Sequence, residues 1–213
     1  MAARLTERDE ELLRTLTLRV RCLTASIAAT YFWHGTGDRI EHTRRRFTAL
    51  EKDRWLTSAV RFAKTLPRLT TPLIVWNPGD EPPNLGKLSY QLKHRFSSSA
   101  SLCRIFIATE KAANRYGGIG ARWPRNSETS HDLGLAQVYL ELKSVRFDAK
   151  TQWISEGSIA ARGMQSGQKL PDAIVRNRDG HETVIEFGGE YGKEKLTEFH
   201  GYCAAETLGY EIW

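Results

Sequence analysis

The chain has 213 residues and a net charge of +6, and hydrophobic residues make up 40% of it. This composition supports one large or two small folded domains and excludes a chain that is disordered throughout. No apolar run reaches the roughly 18 residues that a membrane span requires, and the charged, helix-patterned start from Met1 to Arg21 predicts no signal peptide.

The excess positive charge lies near the start of the chain. Residues 1–70 contain 14 lysine and arginine residues against 8 aspartate and glutamate residues, whereas the remainder contains 17 of each. A localised basic region predicts a polyanion partner, usually nucleic acid, although basic helices also serve only to keep a protein in solution. The three cysteines, Cys22, Cys103 and Cys203, are widely spaced and odd in number, which favours a reducing cytoplasm over a disulfide scaffold or a zinc site.

Three short helices are predicted in the first quarter of the chain. The first spans about residues 6–19, because Thr6 is a typical cap and Asp9 is placed to reach back to it. The second runs from the cap Thr24 to about Phe32, and the third spans about residues 39–52.

The third helix is predicted to have one packing face and one basic face. Ile40, Thr43, Phe47 and Leu50 recur at helical spacing and form the packing face. The predicted DNA-binding residues of the helix, most of them on the opposite side around Ala49, are His42, Arg44, Arg45, Arg46 and Lys52.

Three short helices and an extended segment, with the third helix basic, are the layout of a winged helix-turn-helix, whose recognition helix enters the major groove. The wing is predicted as a hairpin of residues 55–62 with residues 73–76. A DNA-binding domain is therefore expected over residues 1–100 and a second domain over 101–213, with the boundary placed between 97 and 127. A three-helix bundle with solvated arginines is the alternative interpretation.

The second half of the chain is predicted to alternate helices and short strands. A helix apolar on much of its circumference, and therefore buried, runs from Ser130 to about Lys143. A short strand or turn at residues 153–156 and a polar loop at 157–169 follow. A helix over 193–208 then leads to a strand at 210–213, which leaves open that the natural chain is longer.

A hairpin between these elements brings two acids together. The apolar runs at 170–176 and 184–187 flank Asp179-Gly180, a strong turn signal. A loop of residues 178–180, with Gly180 in the left-handed conformation, places Asp172 opposite Glu186. Two adjacent carboxylates favour a hard divalent cation such as Mg²⁺. The alternative is an ordinary solvent-facing hairpin with an acid on each strand.

The ordered series of motifs resembles the replication-relaxation family of bacterial proteins, which are often carried by plasmids or mobile elements. The motifs are Leu5 to Asp9, Leu23-Thr24, the arginine-rich third helix, His131-Asp132-Leu133, Trp153 with Glu156, Pro171-Asp172-Ala173 and Ile185-Glu186-Phe187. The resemblance covers most of the chain and is weak between about 60 and 128. It implies an α/β chain, α+β overall: a winged helix-turn-helix followed by a PD-(D/E)xK phosphodiesterase-like domain. That domain is similar to restriction endonucleases, with a mixed sheet and flanking helices.

The resemblance also implies the roles of particular residues. Asp172 and Glu186 would hold Mg²⁺ or Mn²⁺, with Glu156 or Glu141 as the third acid, and the ion would activate a water. The family's lysine, two residues after the glutamate, is replaced by Gly188. The candidates to supply or support the missing function are Glu190, Lys193 and Lys195, and His131 is a candidate general base.

These expectations combine into a cytoplasmic bacterial protein that binds double-stranded DNA in plasmid or mobile-element maintenance or regulation. Its nuclease-like domain is expected to be degenerate. One alternative is an active Mg²⁺-dependent DNA endonuclease. Another is a protein-interaction module whose basic helix binds an acidic partner. No membrane association is expected, and a homodimer or a partner protein is left open.

Overall fold

The computed structural model describes residues 4–33, 37–95, 98–160 and 170–213. Within them the chain is α+β, as predicted, with helices and two β-sheets. It divides into two compact units, of which unit 1 comprises Met1–Lys64 and Ala100–Ser144, and unit 2 comprises Thr65–Ser99 and Val145–Trp213. No helix in the described ranges is long and apolar enough to cross a membrane.

The helices and strands of the described ranges have the following bounds. In chain order they are α1 (Glu7–Leu18), β1 (Leu23–Thr24), α2 (Ala25–Phe32), α3 (Arg39–Lys52), β2 (Leu56–Lys64), β3 (Ile74–Trp76), α4 (Leu85–Arg95), β4 (Ala100–Ala108), α5 (Glu110–Tyr116), α6 (Thr129–Val145), β5 (Gln152–Ser155), α7 (Glu156–Ala160), β6 (Ala173–Arg176), β7 (Glu182–Glu186), α8 (Lys193–Ala205) and β8 (Gly209–Ile212).

Unit 1 begins with the three predicted helices and adds a small antiparallel sheet. Thr6 and Asp9 form the capping box that starts α1, as their spacing predicts. The sheet has the strand order β1-β4-β2. Phe47 of α3 is fully buried, and its ring lies edge-on to Phe106 of β4 at a centroid distance of 4.6 Å. This contact packs α3 against β4 in the core of unit 1.

The predicted wing is wrong in its second strand. β2 pairs along its whole length with β4, from Leu56 opposite Ala108 to Lys64 opposite Ala100. β3, the predicted partner, instead pairs with β8 in the other sheet. β3 and β4 are both rich in apolar residues, and an apolar run alone does not specify which strand it pairs with. The predicted division near residue 100 differs from the observed units for the same reason, since residues 65–99 belong to unit 2 and β4 to unit 1.

Unit 2 is built around a five-stranded mixed sheet with the order β3-β8-β7-β6-β5. β5, β6 and β7 form an antiparallel meander, and α8 then returns the chain so that β8 lies parallel to β7. α4 contributes Leu88 and Leu92 to the core, where they join Tyr210 and Ile212 of β8. The predicted loop at 157–169 begins as the short helix α7, and residues 161–169 lie outside the described ranges.

Candidate functional site

The outer face of α3 carries the predicted basic residues. Its inner face buries Thr43, Phe47 and Leu50, each with 0% relative exposure. The side chain of Arg45 is 69% exposed and makes only a helix-surface ion pair with Glu41, with 3.4 Å between Nε and Oε1. His42, Arg44 and Lys52 are likewise exposed. The exposure of His42, Arg45 and Lys52 agrees with the helical wheel, and Arg44 is exposed as well. The four side chains form a basic surface on a packed helix.

Arg46 does not belong to that surface, and its prediction as a DNA-binding residue needs correction. Its Nε donates a hydrogen bond of 2.8 Å to Oδ1 of Asp9. Its Nη2 donates to Oδ2 of Asp9 and to the carbonyl of Arg4. The side chain of Asp9 is only 1% exposed. Arg46 therefore links α3 to α1 and is held on the protein side of the helix. Ile40 was predicted to lie on the packing face, but it is 38% exposed.

The Asp9–Arg46 pair stabilises the charged form of the acid. Burial by itself raises the pKa of Asp9, but hydrogen bonds from Arg46 and Thr6 outweigh burial, so the pKa lies below its ordinary value. The hydrogen bond to Asp9 raises the pKa of Arg46 in turn. Asp9 consequently caps α1 and anchors α3 while it is ionised.

The two units differ in their balance of charge. Unit 1 contains 19 lysine and arginine residues against 12 aspartate and glutamate residues, and unit 2 contains 12 against 13. The basic surface of α3 therefore lies on the unit that carries the whole positive excess of the chain. Such a concentration of charge raises the local potential for a polyanion.

The β6–β7 hairpin brings Asp172 and Glu186 together as predicted. Gly180 has φ +83°, and the N–H of Asn177 donates to the carbonyl of His181 at 3.0 Å, which closes the predicted loop. Ala173 pairs with Ile185, and Asp172 and Glu186 are the residues next to this pair at the end of the hairpin. The turn therefore sets the register that brings the two acids to the same end of the hairpin, where both of their charges act on Tyr191.

Protein donors engage both carboxylates. Oδ2 of Asp172 accepts a hydrogen bond of 2.8 Å from the N–H of Phe187, and Oε1 of Glu186 accepts one of 2.7 Å from the hydroxyl of Tyr191. Glu186 has 0% relative exposure. Burial, together with the nearby charges of Glu186 and Asp172, raises the pKa of Tyr191 far above its ordinary value. Tyr191 is therefore a firm hydrogen-bond donor to Glu186.

The three residues suggested as substitutes after the hairpin, Glu190, Lys193 and Lys195, are all exposed, and Lys195 contacts the residue that binds Glu186. The Nζ of Lys195 lies 3.5 Å from the centroid of the Tyr191 ring, whose hydroxyl contacts Glu186. Tyr191, which contacts both Lys195 and Glu186, was not singled out by any sequence pattern.

The remaining predicted residues, Glu156, Glu141 and His131, have separate local environments. The backbone N–H of Glu156 donates to the carbonyl of Asp172 at 3.1 Å, but the Glu156 side chain is exposed. Glu141 lies in unit 1, where it accepts a hydrogen bond of 2.8 Å from the hydroxyl of Tyr31. His131, the candidate general base, lies beside Asp132, which gives it a structural partner.

One oxygen of each carboxylate is engaged by a protein donor, which disfavours a hydrated divalent ion at the pair. Carboxylate oxygens are suitable ligands for Mg²⁺, which usually keeps several waters. However, Glu186 is fully buried beneath the Tyr191 hydroxyl, and Asp172 already accepts a backbone hydrogen bond. Across the described ranges, no group of three or more histidine, cysteine, aspartate or glutamate side chains is placed to hold a metal ion.

Gly188, at the position of the family's lysine, has a structural reason to be glycine. A Cβ added there would lie 2.7 and 2.9 Å from the two Cδ atoms of Leu92 and 3.1 Å from Cγ2 of Ile212. The Gly188 carbonyl also accepts a hydrogen bond from Arg95, whose guanidinium lies over the Phe187 ring. Leu92 and Arg95 both come from α4, so a helix that the sequence did not connect with the site occupies the space next to this position.

Comparison of the chain with protein-family models, with curated proteins and with solved structures found no match. The resemblance to the replication-relaxation family therefore stays a prediction from the ordered motifs. Any functional assignment has to come from the surfaces and contacts described above.

Proposed function

We propose that the chain binds double-stranded DNA through α3 of unit 1. The observation that carries the proposal is that one helix has a buried apolar face and an exposed basic face. Phe47 and Leu50 are fully buried, while Arg44, Arg45 and Lys52 project from the other side. A helix fixed by its inner face and basic on its outer face suits insertion into the major groove, where arginine reads guanine edges and lysine neutralises phosphates.

The order of elements supports a winged helix-turn-helix as the framework. α1, α2 and α3 precede the long antiparallel pair of β2 and β4, and the short β1 adds to the other side of β4. The role of the proposed wing falls to β2 and β4, and the residues that connect them belong to unit 2. The proposed setting is plasmid or mobile-element maintenance or regulation in a bacterial cytoplasm, as the family resemblance implies.

For unit 2 we propose a nuclease-like domain that does not cleave DNA. Three contacts support this part of the proposal. Tyr191 engages Glu186, Phe187 engages Asp172, and Leu92 fills the space into which a side chain at position 188 would extend. Phosphodiester cleavage needs groups that stabilise the negative charge developing on the phosphate, whereas these contacts engage the two carboxylates with protein donors and fill the space at position 188.

An active Mg²⁺-dependent endonuclease is the second candidate, because Lys195 places a cation next to the ring of Tyr191. Incubation of supercoiled and linear DNA with millimolar Mg²⁺ or Mn²⁺ separates the two candidates. We expect intact DNA after incubation with the parent protein. Nicking that disappears in Asp172→Asn would establish the endonuclease instead.

The duplex-binding proposal predicts a loss of affinity in Arg45→Ala. We expect a cost of about 1–3 kcal/mol if the guanidinium reads a base edge. A pure phosphate contact would instead weaken binding to all sequences and reduce the salt slope by about one ion. Fluorescence anisotropy with labelled duplexes at several salt concentrations measures both quantities.

Arg178→Ala is the matched control, because Arg178 is exposed on the hairpin turn of unit 2. Equal affinity of the parent and Arg45→Ala for every duplex would remove α3 as the DNA-binding element. Binding to polyglutamate in place of DNA, weakened by the same substitution, would identify an acidic protein as the partner.

A further inference from the structure

The outer face of α4 carries aromatic and basic side chains that neither α3 nor the carboxylate pair uses. Lys87, Tyr90 and His94 follow one another at spacings of three and four residues and therefore lie along one side of the helix. Lys93 lies one turn beyond Tyr90. All four residues are exposed, and Tyr90 has 64% relative exposure. These four residues are called the α4 surface below.

The inner face of α4 anchors the helix firmly. Leu88 and Leu92 are fully buried in the core of unit 2, and Oγ of Ser89 donates a hydrogen bond of 2.9 Å to the carbonyl of Tyr191. Asn84 caps the helix, since its Oδ1 accepts from the N–H of Lys87 at 2.9 Å. The α4 surface is therefore presented on a rigid element.

The two exposed rings of the α4 surface are held together. The centroids of Tyr90 and His94 are 3.8 Å apart, with an angle of 34° between the ring planes. Nδ1 of His94 lies 2.8 Å from the carbonyl oxygen of Tyr90, and because a carbonyl only accepts, Nδ1 is the donor. This hydrogen bond fixes the imidazole against the phenol ring. Two side chains that are usually mobile at a surface thus form an ordered aromatic platform.

We propose that the α4 surface binds single-stranded nucleic acid. A base would stack on the Tyr90–His94 platform, and Lys87 and Lys93 would contact the phosphates before and after it. Aromatic rings flanked by cations are the usual means by which proteins bind single strands without sequence preference. A duplex hides the faces of its bases, so the platform suits an unpaired base rather than the partner proposed for α3.

The charge of the surrounding unit strengthens this assignment. Unit 2 contains slightly more acidic than basic residues, so the cluster of cations on α4 is local and not a consequence of a generally basic unit. An acidic peptide would use the lysines but would gain little from an ordered ring pair. Single-stranded nucleic acid uses both features of the α4 surface.

The test measures binding of a labelled oligothymidylate to the full chain by fluorescence anisotropy. We expect Tyr90→Leu to weaken binding about tenfold or more, because stacking is lost, whereas Tyr90→Phe keeps the ring and the affinity. The double variant Lys87→Gln/Lys93→Gln is expected to lower the salt slope by about 1.4, or about 0.7 for each phosphate contact. Lys150→Gln, at an exposed lysine of the same unit, is the matched control.

Two further measurements distinguish this proposal from the one for α3. Arg45→Ala should weaken duplex binding and leave oligothymidylate binding unchanged, and Tyr90→Leu should do the reverse. Parent-like affinity of Tyr90→Leu for oligothymidylate, with a parent-like melting temperature, would overturn the α4 proposal even if duplex binding were established. Equal competition by polyglutamate and by unlabelled oligothymidylate would also overturn it and would indicate an acidic protein partner.

Discussion

Both units bury acidic side chains, and Asp9 and Glu186, one from each unit, have different kinds of partner. Asp9 in unit 1 is engaged by the guanidinium of Arg46, and Glu186 in unit 2 by the neutral hydroxyl of Tyr191. A cationic partner stabilises the ionised form of a buried carboxylate through its opposite charge. A phenol contributes only a hydrogen bond. The first arrangement is typical of an ion pair that joins two helices. The second places a neutral donor next to Asp172 and Glu186, the acids of the nuclease-like domain proposed above.

The largest effect is expected from removal of the cation in unit 1. Arg46→Met should lower the free energy of unfolding by about 3–5 kcal/mol, because it leaves the charge of Asp9 buried without its ionic partner. Urea denaturation at neutral pH measures the loss. Arg45→Met, one residue away and exposed, should change stability by less than about 0.5 kcal/mol. Similar losses in both variants would show that the ion pair is not the reason.

The same ion pair predicts how stability depends on pH. The pKa of Asp9 is lowered in the folded chain, so its contribution is fully present above the unfolded value of about 3.9 and is lost as pH falls through the lower folded pKa. The parent should therefore lose its advantage over Asp9→Asn below about pH 4. A difference in free energy of unfolding between the two proteins that stays constant as the pH falls below about 4 would contradict this account.

An intermediate effect is expected at the neutral partner in unit 2. Tyr191→Phe should cost about 1.5–3 kcal/mol, because Glu186 stays buried and loses a hydrogen bond to a charged group. The ring and its contact with Lys195 remain, so the loss reports on the hydroxyl. Tyr90→Phe is the control, since it removes a hydroxyl from a largely exposed side chain. Unchanged urea denaturation of Tyr191→Phe would mean that Glu186 does not depend on this donor.

The smallest effect is expected at Gly188. Gly188→Ala should cost about 1 kcal/mol, at the low end for overpacking, because the Cδ atoms of Leu92 that meet the new Cβ can shift only slightly in a filled core. Gly189→Ala is the matched control, since its Cβ would meet only Tyr191 ring carbons, at 3.5 Å or more. Equal stability of the two variants would show that Leu92 does not restrict position 188.

Local patterns were sufficient for the features that depend on neighbours in the chain. The capping box at Thr6 and Asp9, the burial of Thr43, Phe47 and Leu50 and the register of the β6–β7 hairpin all follow from local spacing. The hairpin was especially accessible, because Asp179-Gly180 defines its turn and a defined turn sets the register.

The features that were missed depend on partners far away in the chain. Arg46 is 37 residues from Asp9, and on a helical wheel it lies at the border between the two faces of α3. Leu92 lies almost 100 residues before Gly188, so the lack of a lysine was visible in the sequence but its physical cause was not. The partner of β2 was missed because strand propensity describes a pleated surface and not a neighbour.

The interleaving of the two units also affects how the protein can be made and divided. The chain passes between units after residues 64, 99 and 144, so a nascent chain must extend through β4 before the sheet of unit 1 can close. Closing such long loops slows folding, because chain entropy is lost before the contacts form. A truncation at residue 100 would remove β4 and leave β2 without its partner. An isolated unit 1 requires a short linker that joins residue 64 directly to residue 100.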